Sequence, residues 1–224
     1  GELTAGIAHE INQPLTAIAA YADAAGRMIS RSQPELEERL DGICMRISEQ
    51  ARRAGDVVTR LRKLSYKGEL TRRRHHIEHL LSHVLLLFEH ELKQSGVHLE
   101  TWVEDGLPEI YADEIQIQQV MVNLIKNSID ALTSSGTPEP SVLVRMYRDA
   151  DTLNGVVSDH GPGVPPDLER RMFEPFFTTK TSGVGLGLSI CRNIAIAHGG
   201  NLAYTRLDKG GAEFRLSLPL ELIG

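Results

Sequence analysis

The sequence is short of cysteine, of positive charge and of long apolar runs, and each shortage removes a class of protein. Its two cysteines, Cys44 and Cys191, lie far apart with no partner at metal-binding or redox spacing. That argues against a disulfide framework and fits a reducing compartment. The formal net charge is −6 and the pI is near 5.9, so no nucleic-acid surface is expected. The one basic stretch, "TRRRHH" (71–76), is short and isolated and reads as a solvated linker. No apolar run approaches the roughly 18 residues of a membrane span. The best candidate, "VLLLF" (84–88), sits between His and Glu residues and reads as one face of a soluble helix. A cytoplasmic location without membrane contact is therefore expected for this stretch of chain. No signal peptide is recognisable, and the chain opens on "GELTAGIAHE" with no initiator methionine. We read it as a piece excised from a longer protein, which is free to be membrane-anchored elsewhere. Two phosphate-binding signatures are also missing. Neither G-x-x-x-x-G-K-[ST] nor the dinucleotide fingerprint occurs, which disfavours Walker-type and Rossmann sites.

What is present is 224 residues, enough for one large domain or two modest ones, with 41% hydrophobic and 24% charged residues. Leu3, Ile7, Ile11, Ile18, Ala22, Ala25 and Ile29 recur in steps of three, four and seven, the stripe of a helix. His9 stands two residues from Ile7 and from Ile11, about 200° round the helix from each, and so faces away from the stripe. Pro14 lies inside the same helix, where proline costs about 3 kcal/mol and frees the carbonyl near residue 10. It is either a static kink or a hinge. "SRSQP" (30–34) breaks the pattern, and Pro34 suits the first turn of a second helix. From there Leu36, Leu40, Ile43, Ile47, Ala51, Ala54, Val58, Leu61 and Leu64 recur in steps near 3.5, a coiled-coil-like seam. Two antiparallel helices with one stripe each cannot enclose a core. A second copy would complete a four-helix bundle, and the alternative is that the hairpin packs on the rest of its own chain.

The charged, aperiodic stretch 65–76 marks a domain boundary. We take 1–67 as a helical domain, 68–75 as a linker and 76–224 as a mixed domain. In the latter a helix is predicted over 76–95 and a strand at "VHLETWV" (97–103). A long helix is predicted from Asp113, its plausible cap, to Leu132. Strands follow at 141–149 and 153–159, a helix near 186–198, and strands at "NLAYTRL" and "AEFRLSLPL". Mixed order without strict β–α–β alternation suggests an α+β sandwich.

Several motifs carry chemistry. "NLIKNSIDAL" (123–132) stacks Asn123 and Asn127 at i and i+4. An amide oxygen is a neutral ligand for Mg²⁺, whose other positions can be water and phosphate. "SDHGPGVP" (158–165) puts Asp159 at the end of an apolar strand, with Gly161 and Gly163 beyond. A buried carboxylate there accepts from the exocyclic amine of adenine, and glycines allow close approach of a flat base; an ordinary turn is the alternative. "FEPFFTTK" (173–180) gathers Phe173, Phe176 and Phe177, the composition of a lid over a pocket. "TSGVGLGLSI" (181–190) spaces Gly183, Gly185 and Gly187 before a helix, where backbone amides suit a polyphosphate.

In this order the motifs resemble the catalytic core of two-component sensor histidine kinases, over residues 1 to about 219. "HEINQPLTAI" is most similar to the subgroup containing the rhizobial oxygen-sensor kinases. The resemblance implies a fold of α + α/β type. A helical hairpin would form a dimeric four-helix bundle, followed by an α/β sandwich of the GHKL (Bergerat) ATP-binding type. It implies that His9 attacks the γ-phosphate of ATP and holds it as phosphohistidine, with Glu10 hydrogen-bonding the ring and taking its proton. Asn127 would hold Mg²⁺, with Asn123 on the same face. Lys126 would either reach a phosphate or stay solvated. Asp159 would read adenine beside Gly161 and Gly163, Phe177 would belong to the lid with the other two phenylalanines, and Thr179 and Lys180 would approach the phosphates. Gly183, Gly185, Leu186 and Gly187 would wrap the triphosphate. The implied partners are a response-regulator receiver domain, whose aspartate takes the phosphate, and a second copy of the chain through residues 1–67. Hydrolytic relatives place a glutamate where this chain has Asn123, and an asparagine is no general base. Gln13, four residues after His9, occupies the place of a Thr or Asn that orients water in relatives that also dephosphorylate their partner. His79 and His83 share a helix face, but no third zinc ligand stands at a telling spacing.

Overall fold

Proline at position 14 does not interrupt the first helix, α1, which runs Glu2–Ser30. The computed structural model describes residues 2–30, 39–51, 70–180, 185–208 and 210–220, with backbone only for 2–12 and 30. The Pro14 ring is buried between exposed Gln13 and Leu15. Residues 39–51 are helical and form α2. The guanidinium of Arg46 on α2 lies 5.8 Å from the centre of the Tyr21 ring on α1. Along the described parts of the two seams, Ile18, Ala25, Leu40, Ile43 and Ile47 are only half-buried, and Ile29 is 57% exposed. Pro34, Ala54, Val58, Leu61 and Leu64 lie outside the described residues.

The chain divides into two compact units, one of residues Gly1–Lys67 with Thr178–Leu186, the other of Gly68–Phe177 with Gly187–Gly224. The second contains β1 (Arg73–His75), α3 (Ile77–Leu86), α4 (Glu89–Ser95), β2 (His98–Val103), β3 (Ile110–Ala112) and α5 (Glu114–Ser135). It continues with β4 (Ser141–Asp149), β5 (Thr152–Asp159), α6 (Gly187–Ala197), β6 (Asn201–Arg206) and β7 (Ala212–Pro219). Five strands form one sheet in the order β2-β4-β5-β7-β6, and β1 pairs with β3 separately. Only β2–β4 is parallel among the pairs of the large sheet. The alternating buried residues of β4, Val142, Val144 and Met146, share the core with the stripe of α5: Ile117, Val120, Met121, Leu124, Ile125, Ile129 and Leu132. Each such side chain contributes on the order of 1.5–3 kcal/mol by leaving water. β5 is buried along almost its whole length, as befits the central strand.

Predicted and observed elements agree for α5, α6 and strands β2 and β4–β7 to within a few residues. Two departures have physical causes. The predicted helix over 76–95 is two helices with a break at Leu87 and Phe88. One helix face cannot bury all of "VLLLF"; the break buries Val84 and Phe88 and leaves Leu86 and Leu87 62% and 68% exposed. The segment 71–76, read as a solvated linker, contains β1, whose backbone pairs with Tyr111 and its neighbours. Edge pairing of backbone satisfies a charged tripeptide that has no apolar pattern of its own.

Asp113 does cap α5, its Oδ1 accepting from the Gln116 amide at 3.2 Å, while its Oδ2 accepts from the Thr71 amide at 3.2 Å. The Asp113 amide in turn donates to Nε2 of His198 at 3.0 Å. His198 is 3% exposed, and its Nδ1 lies 2.8 Å from the Ile194 carbonyl. Since Nε2 must accept, Nδ1 carries the proton and the ring is neutral. Burial pushes its pKa below the ordinary 6.5, aided by Arg72 and opposed by the Ile194 carbonyl and Asp113. A depressed native pKa means the unfolded chain takes the proton first. His198 therefore adds stability that is complete above pH 6.5 and fades as the pH falls below it. Urea midpoints at pH 7.5 and 5.5 should differ less in His198→Asn than in the wild type; equal differences would acquit His198.

Candidate functional site

On α5 the 3.6-residue period places Asn123 and Asn127 on a half-buried face that flanks the core stripe. The Asn123 amide donates to the Cys191 sulfur of α6 at 3.5 Å. Cys191 is fully buried, which pushes its thiol pKa up to about 12 and keeps it protonated. Lys126 lies on a different face. Its ammonium pairs with Glu91 of α4 and with Asp130, one turn on, at 3.0 Å. Burial lowers its pKa, but the two carboxylates outweigh that and hold it above the ordinary value.

One strand away, β5 delivers Asp159 to its end, 2% exposed. Its Oδ2 accepts from the Ser128 hydroxyl of α5 at 2.8 Å, and its Oδ1 from the Gly161 amide at 2.9 Å. Burial raises the pKa of this carboxyl; the donors Gly161, Ser128 and the Ala212 amide, and then His160, pull it back. The glycines have reasons of contact. A Cβ on Gly161 would stand 3.0 Å from Asp159 Oδ1, and one on Gly163 (φ +67) would stand 2.7 Å from the Gly211 carbonyl. Gly211, at φ +112, packs in turn against the Asp159 carbonyl. The Val164 amide beyond donates to the Tyr204 hydroxyl at 3.1 Å.

Phe173 and Phe177 lie half-buried in a run of turns. Arg192 of α6 sits 5.2 Å from the Phe173 ring centre and Arg171 4.6 Å from that of Phe177, distances at which a cation is attracted to a ring face. Phe176 adopts φ +68, a left-handed backbone that is uncommon for a bulky residue. Thr179 and Lys180 are exposed, and the Lys180 amide donates to the Thr178 hydroxyl at 3.1 Å. Gly185 has φ +69, Leu186 is buried and Gly187 begins α6.

The structure thus brings α5 and the end of β5 together through Ser128 and Asp159, with Asn123, Asn127, Gly161 and Gly163 on those two segments. Gly183, and the side chains of His9 and Glu10, lie outside the described residues. Ser128, Cys191 and Gly211 are contributors that sequence reasoning missed. Ser128 carried a signal: it is the polar residue on an otherwise apolar stripe. Among the described residues no group of three His, Cys, Asp or Glu side chains is arranged to hold a metal. No described helix is long and apolar enough to cross a membrane.

Comparison with known proteins finds two family matches along the chain. Residues 1–69 match the His Kinase A (phospho-acceptor) domain. Residues 112–222 match the histidine kinase-, DNA gyrase B- and HSP90-like ATPase family. The sensor protein FixL of Bradyrhizobium diazoefficiens is 38% identical over 98% of this chain and 43% of its own length. The sensor histidine kinase TmoS of Ectopseudomonas mendocina is 35% identical over 98% of this chain and 23% of its own. This chain thus spans less than half of either curated relative. Among solved structures, the catalytic domain of histidine kinase ThkA is 30% identical, with a TM-score of 0.59 over 66% of this chain and 97% of that one. ThkA in complex with the response regulator TrrA superposes with a TM-score of 0.75 at 27% identity, over 99% of this chain and 62% of that one. A phospho-acceptor region followed by a gyrase-like ATPase sandwich, with relatives of the same kind along nearly its whole length, places the chain in the sensor histidine kinase family.

Proposed function

We propose that the chain is the kinase core of a two-component sensor: it binds Mg-ATP, phosphorylates His9 and passes the phosphoryl group to an aspartate of a response-regulator receiver domain. The observation that carries this reading is the presence, in one chain, of His9 in a phospho-acceptor region and of Asn123 on the ATPase sandwich, where a hydrolase needs a carboxylate. Asp159 supplies an anchored, buried acceptor for the exocyclic amine of adenine. Gly161 and Gly163 leave room for the base, with Phe177 in the lid. Asn123 and Asn127 present amide groups from the half-buried face of α5. The neutral oxygen of Asn127 fits Mg²⁺, which keeps waters and phosphate oxygens as its other ligands and would neutralise charge building on the phosphates. Lys126 reaches a phosphate only by leaving Glu91 and Asp130. Lys180 and Thr179, with the backbone of Gly183, Gly185, Leu186 and Gly187, would face the triphosphate.

In the transfer a ring nitrogen of His9 forms a bond to the γ-phosphorus while the bond to the β–γ bridging oxygen breaks and ADP leaves. Glu10 takes the ring proton. The phosphotransfer domain would span 1–67, with the ATP-binding domain beginning no later than β1. A homodimer through residues 1–67 is supported by the seam of α1 and α2, which one chain leaves half-covered. The response regulator as partner is supported by the likeness to ThkA, which was solved with one. Gln13, exposed one turn after His9, would orient water in a dephosphorylation of that partner, and Pro14 would bend α1 to govern access to His9. We place these residues in the cytoplasm, whatever anchor the full-length protein carries.

Incubation with γ-labelled ATP and Mg²⁺ tests the reading. Label on the protein that is lost in acid and kept in alkali is the expected result. Released phosphate without labelled protein would instead make the chain a hydrolase, and neither product would make it a scaffold. Asn123→Glu supplies the missing general base. Phosphate release by this variant should rise above wild type, and an unchanged ATP lifetime in a variant that still binds ATP would contradict the role given to Asn123.

A further inference from the structure

Ser128 belongs to none of the roles above, yet it is the polar member of the buried stripe of α5, between Leu124 and Leu132 at steps of four. It is 1% exposed, so its hydroxyl carries a desolvation cost that only a buried partner offsets. That partner is Asp159 Oδ2 at 2.8 Å. The Gly161 amide holds the other oxygen at 2.9 Å. These two donors on two different oxygens, one from a helix and one from a turn, together with the Ala212 amide of β7, fix the plane of the carboxyl group. They also consume the positions at which it is most easily turned or neutralised. What remains for a ligand is lone pairs alone, which suit a purine bearing a 6-amino group and oppose one bearing a 6-oxo group. Without the hydroxyl, Oδ2 would face the apolar side of α5 with one restraint gone, and a carboxyl free to rotate or take a proton can offer a donor to a 6-oxo purine.

We propose that Ser128 is a specificity-determining positioning residue: it locks Asp159 as an acceptor and thereby sets the preference for adenine over guanine nucleotides. This rests on the reading of Asp159 as the adenine contact. Ser128 is buried with its hydroxyl turned to Asp159, so its effect is expected to pass through that carboxyl.

The test is calorimetric binding of non-hydrolysable ATP and GTP analogues to the whole chain, wild type against Ser128→Ala and Ser128→Thr. Ser128→Ala should lose about tenfold in ATP-analogue affinity, the scale of one hydrogen bond to a charged group, with GTP-analogue affinity unchanged or higher. Ser128→Thr, which keeps the hydroxyl, should restore most of the ratio between the two. Equal weakening of both analogues in Ser128→Ala, or an unchanged ratio, would overturn the proposal. If circular dichroism shows Ser128→Ala unfolded, Ser128→Cys decides: its weak donor should narrow the ratio, and a wild-type ratio would overturn the proposal. Asp159→Asn separates the two layers. If it binds the ATP analogue as wild type does, the adenine reading itself fails. If it loses binding while Ser128→Ala keeps the ratio, only the role of Ser128 falls.

Discussion

Replacing His9 with glutamine is expected to abolish labelling of the chain by γ-labelled ATP, while binding of ATP persists. Glutamine keeps much of the length and polarity of histidine, and an amide is tolerated in a helix, so α1 has no reason to unfold. It lacks a nucleophilic ring nitrogen, so no phosphoryl bond can form at residue 9. The residues proposed to bind the nucleotide, Asn123, Asn127, Asp159 and Gly161, belong to the other compact unit, which contains its own core, so affinity should stay within about twofold of wild type, less than ~0.5 kcal/mol. Labelling followed on acid-free gels, beside a calorimetric ATP titration, checks both halves. Residual label above a few per cent in His9→Gln would mean that another residue accepts the phosphate.

Asp159→Asn is expected to weaken ATP binding by about two orders of magnitude, ~2.7 kcal/mol, without unfolding the sandwich. The substitution is nearly isosteric, and the buried site can absorb it. The amide oxygen still accepts from Gly161, and the amide nitrogen can donate to the oxygen of Ser128 once that hydroxyl rotates. The nucleotide cannot absorb it, because an –NH2 group now faces the exocyclic amine, donor against donor. Autokinase activity at sub-saturating ATP should fall in proportion and recover in part at high ATP. A thermal midpoint near wild type together with lost affinity is the predicted pair. A lost midpoint would make Asp159 structural instead.

How far the sequence disclosed all this depends on the range of each interaction. The strands β4 and β7 and the helix α5 announce themselves through periodicity, and Asp113 is legible as a cap because its partner is three residues away. β1 and β3 escape notice because three residues are too few for a pattern, and "RRH" looks solvated until its backbone is paired. The split of α3 and α4 escapes because five consecutive apolar residues do not say which of them will turn outward. The candidate site divides in the same way. Asn123, Asn127, Asp159 and the glycines stand in recognisable motifs, and the family resemblance gives them roles. Their supports are non-local: Ser128 meets Asp159 across 31 positions, Asn123 meets Cys191 across 68, and His198 closes on the Asp113 amide across 85. Gly211 looks like an ordinary turn glycine until the register of β5 with β7 brings it against Asp159. A resemblance names the residues that touch the ligand; only the fold names the residues that hold them.

The central claim is that His9 receives the γ-phosphoryl group, and the direct measurement is to locate that group. The chain contains nine histidines, so acid lability alone does not single out one. Wild-type protein incubated with Mg-ATP, digested at neutral or alkaline pH and fragmented by electron transfer, should carry a single phosphoryl group on His9. Phosphate found on His75, His76 or another histidine, or on a hydroxyl side chain with His9 unmodified, would contradict the account.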